Sequence, residues 1–181
     1  WKELGKINGK EYIVKTIVTT ETIKTIAERN GVEMYDVYTG FKWIANVMRE
    51  NEGKKNYIGG GEESYGFLCE DFVRDKDAVS ACVILAEIAA WAKDQGLSLY
   101  QLLQKIYVEY GSKEKGISVV KKGKSGAEEI EAMMKKFREN PLTEIAGSKV
   151  TYFYDYSTLK GKDYAENETV TLDMPTTSNV L

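Results

Sequence analysis

Short apolar runs alternate with helical patterns from residue 12 to residue 95, and this alternation strongly limits the possible folds. The runs at residues 12–18, 32–38 and 56–60 are rich in β-branched or aromatic side chains, as strands are. After each run, apolar residues recur at helical spacing or form a longer apolar segment. Strands and helices that alternate in this way predict an α/β fold: a three-layer domain with a mixed or mostly parallel sheet between helices.

The predicted helices carry stop signals of their own. Asn30-Gly31 and Gly53 end the first two. The third, at residues 75–95, contains the longest apolar run of the chain and is predicted to be a buried helix. Ser80 and Glu87 interrupt this run, so it falls short of the roughly 18 unbroken apolar residues that a membrane span requires.

A second, smaller part of the chain is predicted to begin at residue 113. A capping box at Ser98 opens the last helix of the first part, which ends near Tyr110. The predicted elements beyond it are a strand at 116–121, a second capping box at Ser125 with a helix through 131–140, and strands at 149–156 and 169–172. Residues 157–181, which include only the last of these strands, have too few elements to bury a core alone. We therefore expect an α/β domain at residues 1–112, followed by part of a smaller α+β domain at residues 113–181.

The chain contains no histidine. This absence excludes Ser-His-Asp and Cys-His catalysis and zinc sites built on imidazole, so any chemistry must use carboxylates, lysines, hydroxyls or backbone. Cys69 and Cys82 are too few for a disulfide framework and predict a cytoplasmic location. The net charge of −3 is spread along the chain without a basic field, so we expect neither nucleic acid nor a membrane as a partner.

The glycine-rich segment at residues 58–67, IGGGEESYGF, suits neither a strand nor a helix for its own stability. In a parallel sheet it would lie at the carboxyl edge with Thr19-Thr20 and Thr39-Gly40, where ligands bind. Phe67 and Leu68 stand where a phosphate-binding P-loop needs lysine and a hydroxyl residue. A carboxylate beside a hydroxyl on a glycine-rich turn suits a neutral polyol, to which both can hydrogen-bond. A solvated loop without a ligand is the alternative.

Three short motifs occur in order between residues 38 and 77. Residues 38–43 read YTGFKW, residues 61–66 read GEESYG and residues 74–77 read RDKD. They resemble the threonine-glycine segment, the sugar-binding loop and the basic segment in the third domain of the α-D-phosphohexomutases, the phosphoglucomutases and phosphomannomutases. The doubled glutamate resembles the phosphoglucomutase branch, which includes phosphopentomutase-like enzymes.

This resemblance implies roles for individual residues. Glu62 and Ser64 would hold the 3- and 4-hydroxyls of the hexose, while Thr39 and Gly40 would contact the substrate beside the same loop. Lys76 would face the reacting phosphosugar as a charge stabiliser or proton carrier, which makes it the catalytic candidate in this chain. From the residues alone, Thr39 could equally be a helix N-cap and Lys76 a solvated lysine.

The resemblance also implies a longer parent enzyme. The family's phosphoserine loop, its Asp-Gly-Asp-Gly-Asp magnesium loop and its Arg-Pro-Ser-Gly-Thr phosphate loop have no counterpart in this sequence. Residues 1–112 are therefore expected to be most of the third domain without its first elements, and residues 113–181 the N-terminal part of the fourth.

The parent is expected to interconvert hexose 1-phosphate and hexose 6-phosphate. The implied cofactors are Mg²⁺, bound outside this chain, and a glucose 1,6-bisphosphate-type intermediate or activator. The implied partners are the phosphosugar substrate and the remaining domains of the enzyme, and we expect the 181-residue chain alone to be inactive. The alternative is a stand-alone carbohydrate-binding or regulatory module that shares the fold.

Overall fold

The computed structural model of the chain describes residues 1–113 and 123–181. The chain divides into two compact units, Trp1–Gly116 and Ile117–Leu181. The strand predicted at residues 116–121 lies outside the described residues.

A four-stranded mixed sheet forms the centre of the first unit. Its strand order is β2-β1-β3-β4, in which β1 pairs in parallel with β2 and β3, and β4 pairs antiparallel to β3. The elements of this unit are β1 (Glu11–Thr16), α1 (Thr22–Arg29), β2 (Glu33–Val37), α2 (Phe41–Asn51), β3 (Asn56–Glu62), β4 (Gly66–Cys69), α3 (Ala78–Asp94) and α4 (Leu99–Tyr110). The predicted α/β fold with a mostly parallel sheet is confirmed.

The helices lie in layers on both faces of this sheet. The chain moves to one side of β1 to form β2 and to the other side to form β3, so right-handed crossovers place α1 and α2 on opposite faces. On the α2 face, Phe41, Ile44 and Met48 recur at helical spacing and are buried in one cluster with Tyr12 and Val14 of β1. On the other face, α4 packs against both α1 and α3. The expected three layers are present.

The long apolar helix α3 is not buried, and this prediction was wrong. Among its residues, only Ala92 is fully buried. The helix packs against β4 and α4, and no described part of the unit covers its remaining surface. The large apolar side chains left 40–74% exposed are those of Val79, Val83, Leu85, Ile88 and Trp91. No helix in the described ranges combines the length and hydropathy that a membrane span needs.

Within residues 123–181, the second unit contains one helix and short antiparallel strands. Its elements are α5 (Gly123–Glu139), β5 (Glu144–Ile145), β6 (Ser148–Lys149), β7 (Tyr152–Asp155), β8 (Lys160–Asp163) and β9 (Glu168–Thr171). β5 pairs with β6, and β7, β8 and β9 form a meander. Arg138 Nε donates to Asp155 Oδ1 at 3.0 Å, which ties α5 to β7.

Two predictions for this unit were wrong. The helix begins at Gly123, so Ser125 lies within its first turn instead of capping it. Two strands follow residue 157 where one was predicted, because β8 reads KGKD and has no apolar alternation that could reveal it. Gly161 in β8 leaves room for the ring of Tyr154 on the neighbouring strand.

Candidate functional site

Three parallel strands end at the same edge of the sheet in the first unit. β1 ends at Thr16, β2 at Val37 and β3 at Glu62. The loops that follow contribute the hydroxyl of Thr19, the hydroxyl of Thr39 and the carboxylate of Glu63, respectively. The carboxyl edge of a sheet with parallel strands is where α/β proteins bind ligands.

The Glu62 carboxylate lies at the N-terminus of α2. Its Oε2 accepts a hydrogen bond of 3.0 Å from the backbone N–H of Gly40, the N-cap residue, which has no side chain to cap the helix itself. A carboxylate is favoured there by the positive end of the helix dipole. Gly40 has φ 116°, a conformation that glycine adopts without strain.

Glu62 and Lys76 meet at Gly66. A Cβ atom on Gly66 would lie 2.6 Å from Glu62 Oε1 and 2.9 Å from Lys76 Cδ. Only a glycine at this position lets the acidic and the basic side chain approach the same point of β4. Lys76 is half exposed, its Nζ lies 3.1 Å from Asp75 Oδ1, and it stands 5.5 Å from the centre of the Phe41 ring at the start of α2.

The turn between β3 and β4 carries Ser64 and Tyr65. Both are exposed, and Tyr65 has φ 67°, an unusual value for a bulky residue. Ser64 is therefore open to a ligand, and it lies two residues after Glu62, the last residue of β3. Within the described residues no hydrogen bond joins Ser64 to Lys76.

Glu63 binds threonines from two other loops. Its Oε2 accepts from Thr16 Oγ1 at 2.6 Å and from Thr19 Oγ1 at 3.3 Å, and its Oε1 accepts from Thr39 Oγ1 at 3.3 Å. Burial raises the pKa of Glu63. Hydrogen bonds from the hydroxyl of Thr16, from the backbone N–H of Glu63 itself and from the hydroxyls of Thr19 and Thr39 lower the pKa by more than burial raises it. The net pKa lies below the ordinary value of a glutamate, so Glu63 stays charged at neutral pH.

Five residues are predicted from the sequence to form the site, and the structure connects all of them except Ser64. Gly40 bonds to Glu62, Glu62 meets Lys76 at Gly66, and Thr39 bonds to the neighbouring Glu63. Glu63 itself was missed, because its partners belong to loops that are distant in sequence.

Sequence reasoning also missed Lys15 on β1. Lys15 is 1% exposed and its Nζ lies 2.9 Å from Glu21 Oε1 and 2.5 Å from Asp36 Oδ1. A lysine inside an apolar strand was a usable signal, since a buried ammonium needs a carboxylate partner. Asp36 stands beside it in the β1–β2 register.

The described part of the chain contains no group of three or more histidine, cysteine, aspartate or glutamate residues that could hold a metal ion. Both carboxylate oxygens of Glu63 accept from threonine hydroxyls, which leaves Glu62 as a single carboxylate with free acceptor sites at this edge, fewer than a magnesium site needs. These residues therefore do not fit a magnesium site.

A family model described as phosphoglucomutase/phosphomannomutase, alpha/beta/alpha domain III matches residues 1–110. The phosphoglucomutase of Staphylococcus aureus (strain bovine RF122 / ET3-1) is 40% identical over 169 residues, which cover 93% of this chain and 29% of that protein. The phosphoglucomutase of Staphylococcus haemolyticus (strain JCSC1435) is 36% identical over 168 residues, which cover 92% of this chain and 30% of that protein. The chain thus spans about a third or less of the length of these relatives.

A solved structure has a similar fold. The open form of the exocytosis-sensitive phosphoprotein pp63/parafusin, a phosphoglucomutase from Paramecium, matches 88% of this chain and 27% of its own, with a TM-score of 0.54 and 19% identity. At this identity the likeness concerns the fold alone. The match of residues 1–110 confirms the resemblance stated above, and the chain belongs to the phosphoglucomutase/phosphomannomutase family.

Proposed function

We propose that the protein containing this chain is a phosphohexomutase that interconverts hexose 1-phosphate and hexose 6-phosphate, and that this chain supplies the loop that binds the sugar hydroxyls. The observation that carries the proposal is the meeting of Glu62 and Lys76 at Gly66, next to the exposed Ser64. One acceptor, one cation and one hydroxyl at the carboxyl edge of the sheet suit a polyol that also bears a phosphate.

Glu62 has acceptor capacity left for a sugar. A carboxylate offers about four lone-pair sites, and the Gly40 N–H uses one of them, on Oε2. The remaining sites can accept from the hexose 3- and 4-hydroxyls. Ser64 is exposed two residues after Glu62 in the chain, so its hydroxyl is available to donate to or accept from the same hydroxyl pair.

Thr39 and Gly40 fit the rim of the same site. The Thr39 hydroxyl donates its proton to Glu63, which leaves its oxygen free to accept from a sugar hydroxyl. Gly40 has no side chain between the solvent and the start of α2, so a ligand can approach the backbone closely. Lys76 would neutralise negative charge on the bound phosphosugar.

A grip on the middle of the sugar suits the proposed reaction. A phosphoserine elsewhere in the parent protein would transfer its phosphoryl group to the free hydroxyl of the hexose phosphate, which forms a bisphosphate. After the sugar has reoriented, the other phosphoryl group returns to the serine. Contacts to the 3- and 4-hydroxyls can serve both orientations, because those hydroxyls take no part in either transfer.

The parts of the parent outside this chain complete the proposal. We assign residues 1–112 to most of its third domain and residues 113–181 to the N-terminal part of its fourth, and we place the phosphoserine, the Mg²⁺ site and the phosphate-binding loop in other segments. Free Cys69 and Cys82 suit a cytoplasmic protein. The stand-alone binding module is not favoured, because 92–93% of the chain matches one part of much longer phosphoglucomutases.

The test is the kinetics of Glu62→Gln and Ser64→Ala in the full-length enzyme, with glucose 1-phosphate as substrate. Glu62→Gln removes the charge from an acceptor whose hydrogen bonds are worth about 1.5–3 kcal/mol each, so kcat/KM should fall about 10- to 150-fold. Ser64→Ala removes neutral hydrogen bonds worth about 0.5–1.5 kcal/mol each, so kcat/KM should fall about 2- to 10-fold. Glu28→Gln, an exposed glutamate on α1, is the matched control and should have no effect. Unchanged kinetics in both site variants would refute the sugar-binding assignment, and mutase turnover by the 181-residue chain alone would refute its dependence on other segments.

A further inference from the structure

The Glu63 carboxylate connects all three loops that follow the parallel strands. Thr16 and Thr19 belong to the end of β1 and its loop, Thr39 to the loop after β2, and Glu63 to the turn after β3. Both carboxylate oxygens are engaged, Oε2 by the first two threonines and Oε1 by the third. Glu63 therefore differs from Glu62, whose bonding leaves acceptor capacity for a ligand.

The turn that carries Ser64 consists of residues 63–65, which lie beyond the last pair of the β3–β4 ladder, Glu62 and Gly66. Tyr65 at its tip is fully exposed. Holding one residue in a single backbone conformation costs about 1–2 kcal/mol of entropy. The hydrogen bonds of Glu63 can offset that cost and hold the turn in one position.

The three threonines differ in how fully each donates its hydroxyl proton to Glu63. Each threonine hydroxyl has one proton to donate. Thr16 is fully buried and makes the shortest contact, 2.6 Å, so its proton goes to Glu63. The Thr16 and Thr19 oxygens are 2.7 Å apart, so Thr19 can share its single proton between Thr16 and Glu63. The Thr16 hydroxyl is thus the main donor.

We propose that Glu63 is a positioning residue for the sugar site. Through Thr16, Thr19 and Thr39, it holds the β3–β4 turn where Glu62 and Ser64 can both reach the hydroxyls of one hexose. This inference rests on the proposed function, since it assigns Glu63 no contact with the sugar and makes its effect depend on the neighbours that have one. The depressed pKa of Glu63 agrees with a carboxylate that accepts several hydrogen bonds.

The experiment compares Glu63→Ala and Glu63→Gln with wild type in the full-length enzyme. The substrates are glucose 1-phosphate and its 4-epimer, galactose 1-phosphate, and the readouts are kcat, KM and the ratio of kcat/KM between the two sugars. A loosened turn misplaces both hydroxyl contacts, so kcat/KM for glucose 1-phosphate should fall about 10- to 100-fold in Glu63→Ala. The preference for the glucose epimer should fall as well, which a loss of overall stability alone does not produce.

A double mutant separates positioning from an independent contribution. If Glu63 acts through Ser64, then Glu63→Ala combined with Ser64→Ala should lose much less than the product of the two single effects. Thr16→Val and Thr16→Ser form a matched pair, since the first removes the donor hydroxyl and the second keeps it. Thr16→Val should reproduce the loss of epimer preference, and Thr16→Ser should retain it. This pair decides the question if Glu63→Ala fails to fold.

The outcomes distinguish this inference from the proposed function. If Glu62→Gln and Ser64→Ala lower kcat/KM but Glu63→Ala and Thr16→Val leave kcat/KM and epimer preference unchanged, then the positioning role is wrong and the sugar site stands. Fully multiplicative effects of Glu63→Ala and Ser64→Ala also overturn the positioning role. If none of these variants changes the kinetics, then the sugar site itself is refuted.

Discussion

Replacing Gly66 with alanine should damage the candidate site more than it damages the fold. The added Cβ would lie 2.6 Å from Glu62 Oε1, 2.8 Å from Glu62 Cγ and 2.9 Å from Lys76 Cδ. These distances are shorter than van der Waals contact, so both side chains must move away from β4. All three atoms belong to long, flexible side chains and none to the backbone, so the backbone can stay in place.

The loss of stability depends on whether the added Cβ displaces side-chain or backbone atoms. Overpacking a buried position costs about 1–3 kcal/mol, and we expect Gly66→Ala to lie near 1 kcal/mol because only side chains shift. Gly60→Ala is the contrasting case, because its Cβ would lie 2.5 Å from the backbone oxygen of Val14 and 2.6 Å from the Tyr57 hydroxyl. A backbone oxygen inside the sheet cannot yield, so we expect about 3 kcal/mol or more there.

Gly59→Ala is the matched control. Its Cβ would meet Leu68 O at 3.4 Å, an ordinary contact, so the free energy of unfolding should change by less than about 1 kcal/mol. Urea unfolding of the chain, followed by circular dichroism, gives the stabilities. Steady-state kinetics of the full-length enzyme give the activities, for which we expect a loss of about 10- to 100-fold in Gly66→Ala and none in Gly59→Ala.

Two results would refute this reasoning. If Gly66→Ala were as destabilising as Gly60→Ala, then Glu62 and Lys76 would be rigid parts of the core instead of movable site residues. If Gly66→Ala kept full kcat/KM, then the close approach of Glu62 and Lys76 at Gly66 would have no part in catalysis.

The other predictions concern the core, a helix cap and pH. Ile44→Ala, at a fully buried position of α2, should lower the free energy of unfolding by about 2–5 kcal/mol, and Ile44→Val by only about 0.5–1.5 kcal/mol. Asp77 caps α3 by accepting from the backbone N–H groups of Val79 and Ser80. Asp77→Ala should therefore lower the free energy of unfolding by about 1 kcal/mol, whereas Asp77→Ser should keep most of that stability; equal stability of the two variants would contradict the cap. The folded-state pKa of Glu63 is below the ordinary glutamate value of 4.5, so its contribution to stability is present above about pH 4.5 and is lost as the pH falls through the folded-state pKa. Glu63→Gln should flatten that part of a stability–pH curve, and an unchanged curve would contradict the contribution.

The sequence was sufficient for the sheet and its helices because these depend on local periodicity. β1, β2 and β3 have apolar runs of strand length, and α1 and α2 have glycine stops. β4 was missed because its four residues begin with Gly66 directly after the turn and show no alternation long enough to detect. The prediction that α3 is buried was wrong. Apolar composition indicates that a surface favours burial, but the surrounding structure decides whether anything covers that surface.

The site was predictable to the extent that topology determines it. A parallel arrangement places the ends of β1, β2 and β3 at one edge, which brings Thr39-Gly40 and residues 61–66 together. The bonds between Glu63 and its threonines were not predictable, since they join residues 24 and 47 positions apart through side-chain geometry. The burial of Lys15 between Glu21 and Asp36 likewise depends on strand register.

The uncovered side of α3 has a consequence for how the chain behaves at high concentration. Val79, Val83 and Trp91 are among the apolar side chains exposed on one 17-residue helix, and a net charge of −3 provides little repulsion between molecules. Such a surface binds hydrophobic dyes and chaperones and promotes colloidal association. When the 181-residue chain is purified alone, its light scattering per unit mass of protein should therefore rise as it is concentrated. Charged substitutions at Val79 and Val83 should reduce that scattering without disturbing the core around Ile44, from which both positions are absent.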